Sequence, residues 1–193
     1  MDGMFRDTAQ SAARSMSDPV VLRLQLAQAH ARIVELERLA DTDPLTELPN
    51  RRPFMRAIAR SIRHLERHGT PAAVLFVDVD GLKAINDSQG HGSGDAALRH
   101  IASLLQREVR ASDLVARIGG DEFGLVLDHL DEAAARAKCA ALVQAVGEAP
   151  APFGKISISV GVATVRDHDK TDAVLSRADK DMYAAKRAQR SDR

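Results

Sequence analysis

Apolar residues recur along the first part of the chain at alternating steps of four and three: Leu22, Leu26, Ala29, Ile33, Leu36 and Ala40. That period predicts a helix with a coiled-coil seam, with Leu26, Ile33 and Ala40 at a and Leu22, Ala29 and Leu36 at d. Asp18 and Pro19 supply its start, a capping carboxylate followed by proline at the first helical position. Gln25, Gln28, Arg32, Glu35 and Arg38 flank the seam. Leu24, Val34 and Leu39 lie off it and suit a second reading, a helix packed on its own globular domain. Residues 1–17 are small and polar without a period and read as a loose tail. The expected divisions are therefore a tail (1–17), a dimerisation helix (18–41) and a globular domain (42–193).

Past the turn-rich segment 41–52, the pattern alternates between helix and strand. Asn50 can cap a helix that runs to His68, where His68-Gly69-Thr70-Pro71 breaks it. Residues 72–79 are a short apolar run of buried-strand type. A polar helical turn and loop are expected over 82–94. A helix over 95–110 follows, with Leu98, Ile101, Leu104 and Leu105 on its apolar side. Two short runs, 114–118 and 122–127, flank Gly119-Gly120, a hairpin signal. A helix over 131–146, a strand over 155–165 and a helix over 171–188 complete the chain. The order strand, helix, strand, strand, helix, strand is the ferredoxin-like, split βαβ plan. The predicted class is α+β, an antiparallel sheet packed by helices and preceded by the coiled-coil helix. That plan hosts many functions and decides none.

Composition narrows the possibilities. The 193 residues are 45% hydrophobic, enough for a sizeable core, and 27 basic residues balance 27 acidic ones. A neutral chain has no general attraction to nucleic acid or anionic lipid, so any phosphate binding must come from a local site. No apolar run approaches the ~18 residues of a membrane span, and MDGMFRDTAQ lacks the apolar core of a signal peptide. A cytoplasmic protein without membrane insertion is expected. The single cysteine, Cys139, suits a reducing compartment and reads as a small core residue.

Two acidic clusters are candidate chemistry. Asp78 and Asp80 end the first strand and share one side of it by alternation. Carboxylates there are costly to bury unpartnered. They suit a divalent cation, which takes oxygen ligands, or they simply end the strand. Arg117-Ile118-Gly119-Gly120-Asp121-Glu122-Phe123 places two more acids at the glycine hairpin, where a ligand can approach the backbone closely. In the predicted fold this hairpin lies beside the first strand, so Asp78 and Asp121 could share metal ions that bridge a triphosphate.

Residues 117–123 resemble the signature of the GGDEF family, the diguanylate cyclases. DPLTELPNRR (43–52), DVDGLKAINDSQGHGSGD (78–95), SISVGVA (157–163) and ADKDMYAAK (178–186) resemble further family segments, in order, so the likeness covers about residues 41–190. It implies an enzyme that condenses two GTP molecules into cyclic di-GMP and releases two pyrophosphates, acting as a homodimer through the N-terminal helix. It implies Mg2+ or Mn2+ ions, two to a site, on Asp78, the Val79 carbonyl and Asp121. Asp121 would be the general base, Glu122 would support the acidic turn, and Lys83 would stabilise charge on the reacting phosphates. Asn86 and Asp95 would bind the guanine edge, Gly119 and Gly120 would admit the substrate, and Lys186 and Arg190 would hold the outer phosphates. Arg110 and Asp113 resemble the family's inhibitory product-binding Arg-x-x-Asp.

Each of these residues also has a plain reading. Asn86 can form a turn, Lys186 and Arg190 can close a helix, and Arg110 with Asp113 can be a helix-end ion pair. His91 reads as a structural hydrogen-bonder and Tyr183 as core. The sequence departs from the family pattern at Glu47, where glycine is usual and the turn can need unusual dihedrals. It departs again at Gly81-Leu82, in place of His-Phe, and at Gln189 and Ser191, in place of Gly and Asn. Other functions remain open: a GTP or cyclic di-GMP receptor without catalysis, a cyclase accepting ATP, or a structural coiled-coil protein.

Overall fold

The computed structural model describes residues 19–191, with side chains for all but Arg38 and residues 188–191. The expected tail and the Asp18 cap lie outside the described residues. The chain divides into two units, residues 1–40 and 41–193. In the first, helix α1 spans Pro19–Asp41. Its seam residues Leu22, Leu26, Ile33 and Leu36 are all at least half exposed, as are Leu24, Val34 and Leu39 off the seam. Among the described residues, no helix is long and apolar enough to cross a membrane.

The second unit runs α2 (Arg51–His68), β1 (Ala72–Asp80), α3 (Leu82–Gln89), α4 (His91–Arg107), β2 (Leu114–Arg117), β3 (Glu122–Asp128), α5 (Glu132–Glu148), β4 (Ser157–Thr164) and α6 (Thr171–Ser191). The sheet order is β2-β3-β1-β4 and every neighbouring pair is antiparallel, the α+β arrangement that the element order predicts. Asn50 caps α2 as expected, its side-chain oxygen accepting from the Arg52 amide, and Gly69 ends the helix in the left-handed region.

The expected loop before residue 95 is instead helical: α4 begins at His91, and Gly90, at φ 82°, is the whole connection from α3. The polar composition of 82–94 carries no apolar helical stripe that would mark this start. In the fold, Gly90 makes the turn, while at Gly94 a Cβ would collide with the Asn86 side chain. The strand expected over 155–165 is shorter, 157–164, and the last helix reaches Ser191.

Strand alternation divides the core into two layers. Ala73, Leu75, Val77 and Val79 of β1, Phe123, Leu125 and Leu127 of β3, and Ile158, Val160 and Val162 of β4 face the layer shared with α4 and α5. Val74 and Phe76, Val126 and Ala163 face the layer shared with α2 and α6, where Val174, Ala178 and Met182 form a stripe at steps of four. At Gly161 a Cβ would collide with backbone atoms of Ala178 and Met182, so the bare glycine lets α6 lie directly on β4. Tyr183, expected in the core, is 62% exposed because it falls one position past that stripe.

Candidate functional site

The second layer continues past its apolar part into polar residues. Asp78 and Asp80 follow Val74 and Phe76 at the same spacing of two, so they emerge on the α2/α6 face. In register, Asp78 pairs with Glu122 of β3 and with Ser159 of β4, and Asp80 pairs with Ser157. Cross-strand partners share a face, so Asp78, Asp80, Glu122, Ser157 and Ser159 gather on one patch. Four residues beyond Met182 the α6 stripe reaches Lys186. Its Nζ donates to Asp78 Oδ1 at 2.5 Å and lies 3.9 Å from Asp80 Oδ1. Asp80 is held from the other side: Ser157 Oγ donates to Oδ2 (3.1 Å) and Ser159 Oγ donates to Oδ1 (2.9 Å).

The glycine hairpin closes against this patch. The Val79 amide donates to the Asp121 carbonyl (3.0 Å), carrying the β1–β3 ladder one step beyond Asp78. This bond sets Asp78, the Val79 backbone and Asp121 side by side, three oxygen-bearing residues at one sheet end. At Gly119 a Cβ would meet the Glu122 carboxylate, so Glu122 folds over the turn. Burial pushes the Glu122 carboxyl above its ordinary range, and the negative charges of Asp121, Asp78 and Asp179 push it further, against the pull of Arg51. Glu122, Asp179 and Arg51 border a cavity of ≈ 330 Å³ between α2 and α6.

Arg117 fixes the turn itself. Its Nη2 donates to the Gly120 carbonyl (2.7 Å), and its Nη1 reaches both carboxylate oxygens of Asp43 (3.1 and 3.2 Å). Burial alone would raise the Asp43 carboxyl; hydrogen bonds from the Thr46 hydroxyl and amide, with Arg117, outweigh it and hold it below its ordinary range. Asp43, Arg117, Ser157, Ser159, Arg51 and Asp179 were not singled out from the sequence. They lie within segments 43–52, 117–123, 157–163 and 178–186, but only the register shows which carboxylate each one serves. Glu47 adopts φ 60°, so the turn does use the left-handed dihedral for which glycine is suited. Gly81, at φ 76°, starts α3 in the same region.

The other candidates form separate groups. Asn86 lies against Gly94, which places it beside Asp95 at the start of α4. Lys83 is exposed on α3, and Arg190 falls on the last turn of α6 with its side chain outside the described residues. His91 is exposed at the first position of α4. Cys139 is half-buried, and burial raises its thiol, as suits an inert core residue.

Arg110 and Asp113 close a turn between α4 and β2, where the Arg110 amide donates to Asp113 Oδ2 (3.0 Å). Asp113 Oδ1 is buried without a partner. The pair borders one cavity of ≈ 150 Å³, which Lys138 also lines, and another of ≈ 240 Å³. Arg136, a second cation on α5, turns instead to Asp181 and Glu132. Among the described residues, no three His, Cys, Asp or Glu side chains converge as a metal-binding group. The groups at this sheet end that could hold a cation are the Asp78 and Asp121 carboxylates and the Val79 carbonyl.

The chain is similar to known proteins in sequence and in fold. The chain is 40% identical over 164 residues to diguanylate cyclase TpbB of Pseudomonas aeruginosa, covering 82% of this chain and 38% of that protein. It is 34% identical over 210 residues to diguanylate cyclase DosC of Escherichia coli, covering 98% of this chain and 45% of that protein. It therefore spans less than half the length of either relative. A crystal structure of the coiled coil and GGDEF domain of DgcB from Caulobacter crescentus, in complex with c-di-GMP, matches with a TM-score of 0.78 at 25% identity, covering 97% of this chain and 96% of that one. Diguanylate cyclase SiaD of Pseudomonas aeruginosa, in complex with its activator SiaC, matches with a TM-score of 0.74 at 30% identity, covering 95% of this chain and 77% of that one. The family model described as "Diguanylate cyclase, GGDEF domain" matches residues 40–192, and the chain belongs to the GGDEF family.

Proposed function

We propose that this chain is a diguanylate cyclase that condenses two GTP into cyclic di-GMP and two pyrophosphates. The observation that carries this reading is the meeting of Asp78, the Val79 backbone and Asp121 at one sheet end, with Lys186 opposite. Relatives named as diguanylate cyclases support it. Two carboxylates and a carbonyl are hard oxygen donors, which suit Mg2+ or Mn2+ bound with substrate phosphates. Bound there, two such ions would neutralise charge on the phosphates.

In each half-reaction the 3′-oxygen of one GTP bonds to the α-phosphorus of the other. The bond from that phosphorus to the pyrophosphate oxygen breaks, and the hydroxyl proton passes to the Asp121 carboxylate. Glu122 lies over the turn and adds negative charge beside that base. Arg117 keeps the Gly119-Gly120 turn in place through the Gly120 carbonyl. Lys83 and Lys186 supply positive charge to the phosphates, with Arg190 on the turn beyond. Asn86 and Asp95 read the guanine edge, the amide donating to O6 and the carboxylate accepting from N1 and N2. Positioning and charge do most of the work in such phosphoryl chemistry.

Ring closure requires two nucleotides presented face to face, so the active unit is a homodimer. The exposed a and d positions of α1 are its seam. Cyclic di-GMP inhibits by binding Arg110 and Asp113, where the cavities and the unpartnered Asp113 Oδ1 offer a place for a guanine edge. The site of action is cytoplasmic, where GTP is available. The test incubates purified protein with GTP and Mg2+ and identifies the product by mass. Wild type should form cyclic di-GMP, and Asp78→Asn and Asp121→Asn should form none while melting as cooperatively. Synthesis by either variant at a substantial fraction of the wild-type rate refutes the site.

A further inference from the structure

Lys186 sits on the carboxylate that the proposed reaction needs for a cation. Its Nζ is 2.5 Å from Asp78 Oδ1, and all three side chains of the Lys186, Asp78 and Asp80 group are largely shielded, at 26, 15 and 21% exposure. An ammonium and a divalent cation on one carboxylate repel each other, so either excludes the other.

What fixes the place of Lys186 is Asp80. Ser157 and Ser159 each spend a hydroxyl proton on it, and Ser159 is fully buried. Turning Asp80 away would leave two donors unmatched, one of them with no access to water. Asp80 is thus a stationary negative charge 3.9 Å from Lys186, bonded to the β4 serines. The geometry points to Asp80 as a positioning residue. It seats Lys186 as an internal counter-ion of Asp78 and keeps it within reach of the phosphates when a divalent cation displaces it. Metal and triphosphate then bind cooperatively, because the phosphates accept the lysine that the metal must evict. This inference rests on the proposed metal role of Asp78.

The experiment measures Mn2+ affinity of the full chain without nucleotide, by paramagnetic resonance of free Mn2+. The proteins are wild type, Lys186→Met, Asp80→Asn and the double variant. Lys186→Met should bind Mn2+ more tightly, having lost the competitor, and Asp80→Asn more weakly, because the lysine that the metal evicts from Asp78 then has no second carboxylate to hold it. The double variant should depart from the product of the two single effects by roughly threefold or more, because Asp80 acts through Lys186. Ser157→Ala with Ser159→Ala keeps every charge and should reproduce part of the Asp80→Asn weakening, serving also where Asp80→Asn does not fold. Unchanged or weaker binding by Lys186→Met, single effects that simply multiply, or wild-type binding by the serine pair each overturn the inference. Asp78→Asn separates the two levels. If it binds Mn2+ as wild type does, the metal reading fails and takes this one with it. If it abolishes binding while the single effects multiply, the metal site stands and the role of Asp80 falls.

Discussion

Gly161→Ala tests whether α6 is held on the sheet as described. The added Cβ would collide with the Ala178 carbonyl oxygen and the Met182 amide and lie 2.7 Å from Met182 Cα. All three are backbone, so no side chain can rotate away and the helix itself must retreat, by roughly 1 Å. Overpacking of this kind costs about 1–3 kcal/mol, and restricting the unfolded chain with alanine returns about 0.5–1 kcal/mol. A net loss of about 1–2 kcal/mol in a unit of this size lowers Tm by roughly 2–8 °C. The same retreat carries Lys186, one turn beyond Met182, off Asp78, so cyclase turnover should fall more than stability alone explains. Thermal circular dichroism and a pyrophosphate-release assay below the melting range read the two effects. Gly147→Ala is the control: it lies in α5 with nothing within 4 Å of the added Cβ, and alanine there should stabilise by about 0.5–1 kcal/mol. If Gly161→Ala melts with wild type or above it and keeps full turnover, α6 does not rest on β4 as described and the seat of Lys186 is misassigned.

Three further outcomes are expected. The Glu122 carboxyl is raised above its ordinary range in the folded chain, so ionising it destabilises: stability falls as pH rises from the ordinary value through the raised one, and the loss persists at neutral pH. Glu122→Gln should therefore melt above wild type at neutral pH in chelator and lose that advantage below the ordinary carboxylate range; equal melting at both pH values refutes the charge crowding. Ile33→Lys with Leu36→Lys places charges at a and d, and sedimentation should show a shift to monomer, with turnover per chain falling on dilution and recovering partly at high concentration. Turnover independent of concentration would mean that α1 is not what brings two sites together. Added cyclic di-GMP should slow wild type and leave Arg110→Ala running, since arginine can fork onto a phosphate or a guanine edge; equal slowing of both reduces Arg110 and Asp113 to the turn that they close.

Much of this protein is written in local pattern. The period-two alternation of β1 places Asp78 and Asp80 on one face wherever the strand ends up, and the steps of four from Val174 to Met182 carry Lys186 onto the buried side of α6. Gly119-Gly120 between two strand-like runs marks the hairpin, Asn50 marks the start of α2, and the order of elements gives the sheet. The motifs bring the family into view before any coordinate does. What local pattern does not contain is register and close approach between distant segments. That Ser157 and Ser159 face Asp80, and that Asp43 holds Arg117 across 74 positions of chain, follow from how strands and turns slide into place under a shared core. The polar stretch up to residue 94 reads partly as a loop because propensity is local, yet packing makes 91–94 helical, Gly94 accommodating Asn86. Tyr183 reads as core by its type, and the stripe through Ala178 and Met182 turns it outward. The place of Lys186, on Asp78 and beside Asp80, is likewise tertiary: it depends on the one glycine of β4 that lets a helix lie on a strand.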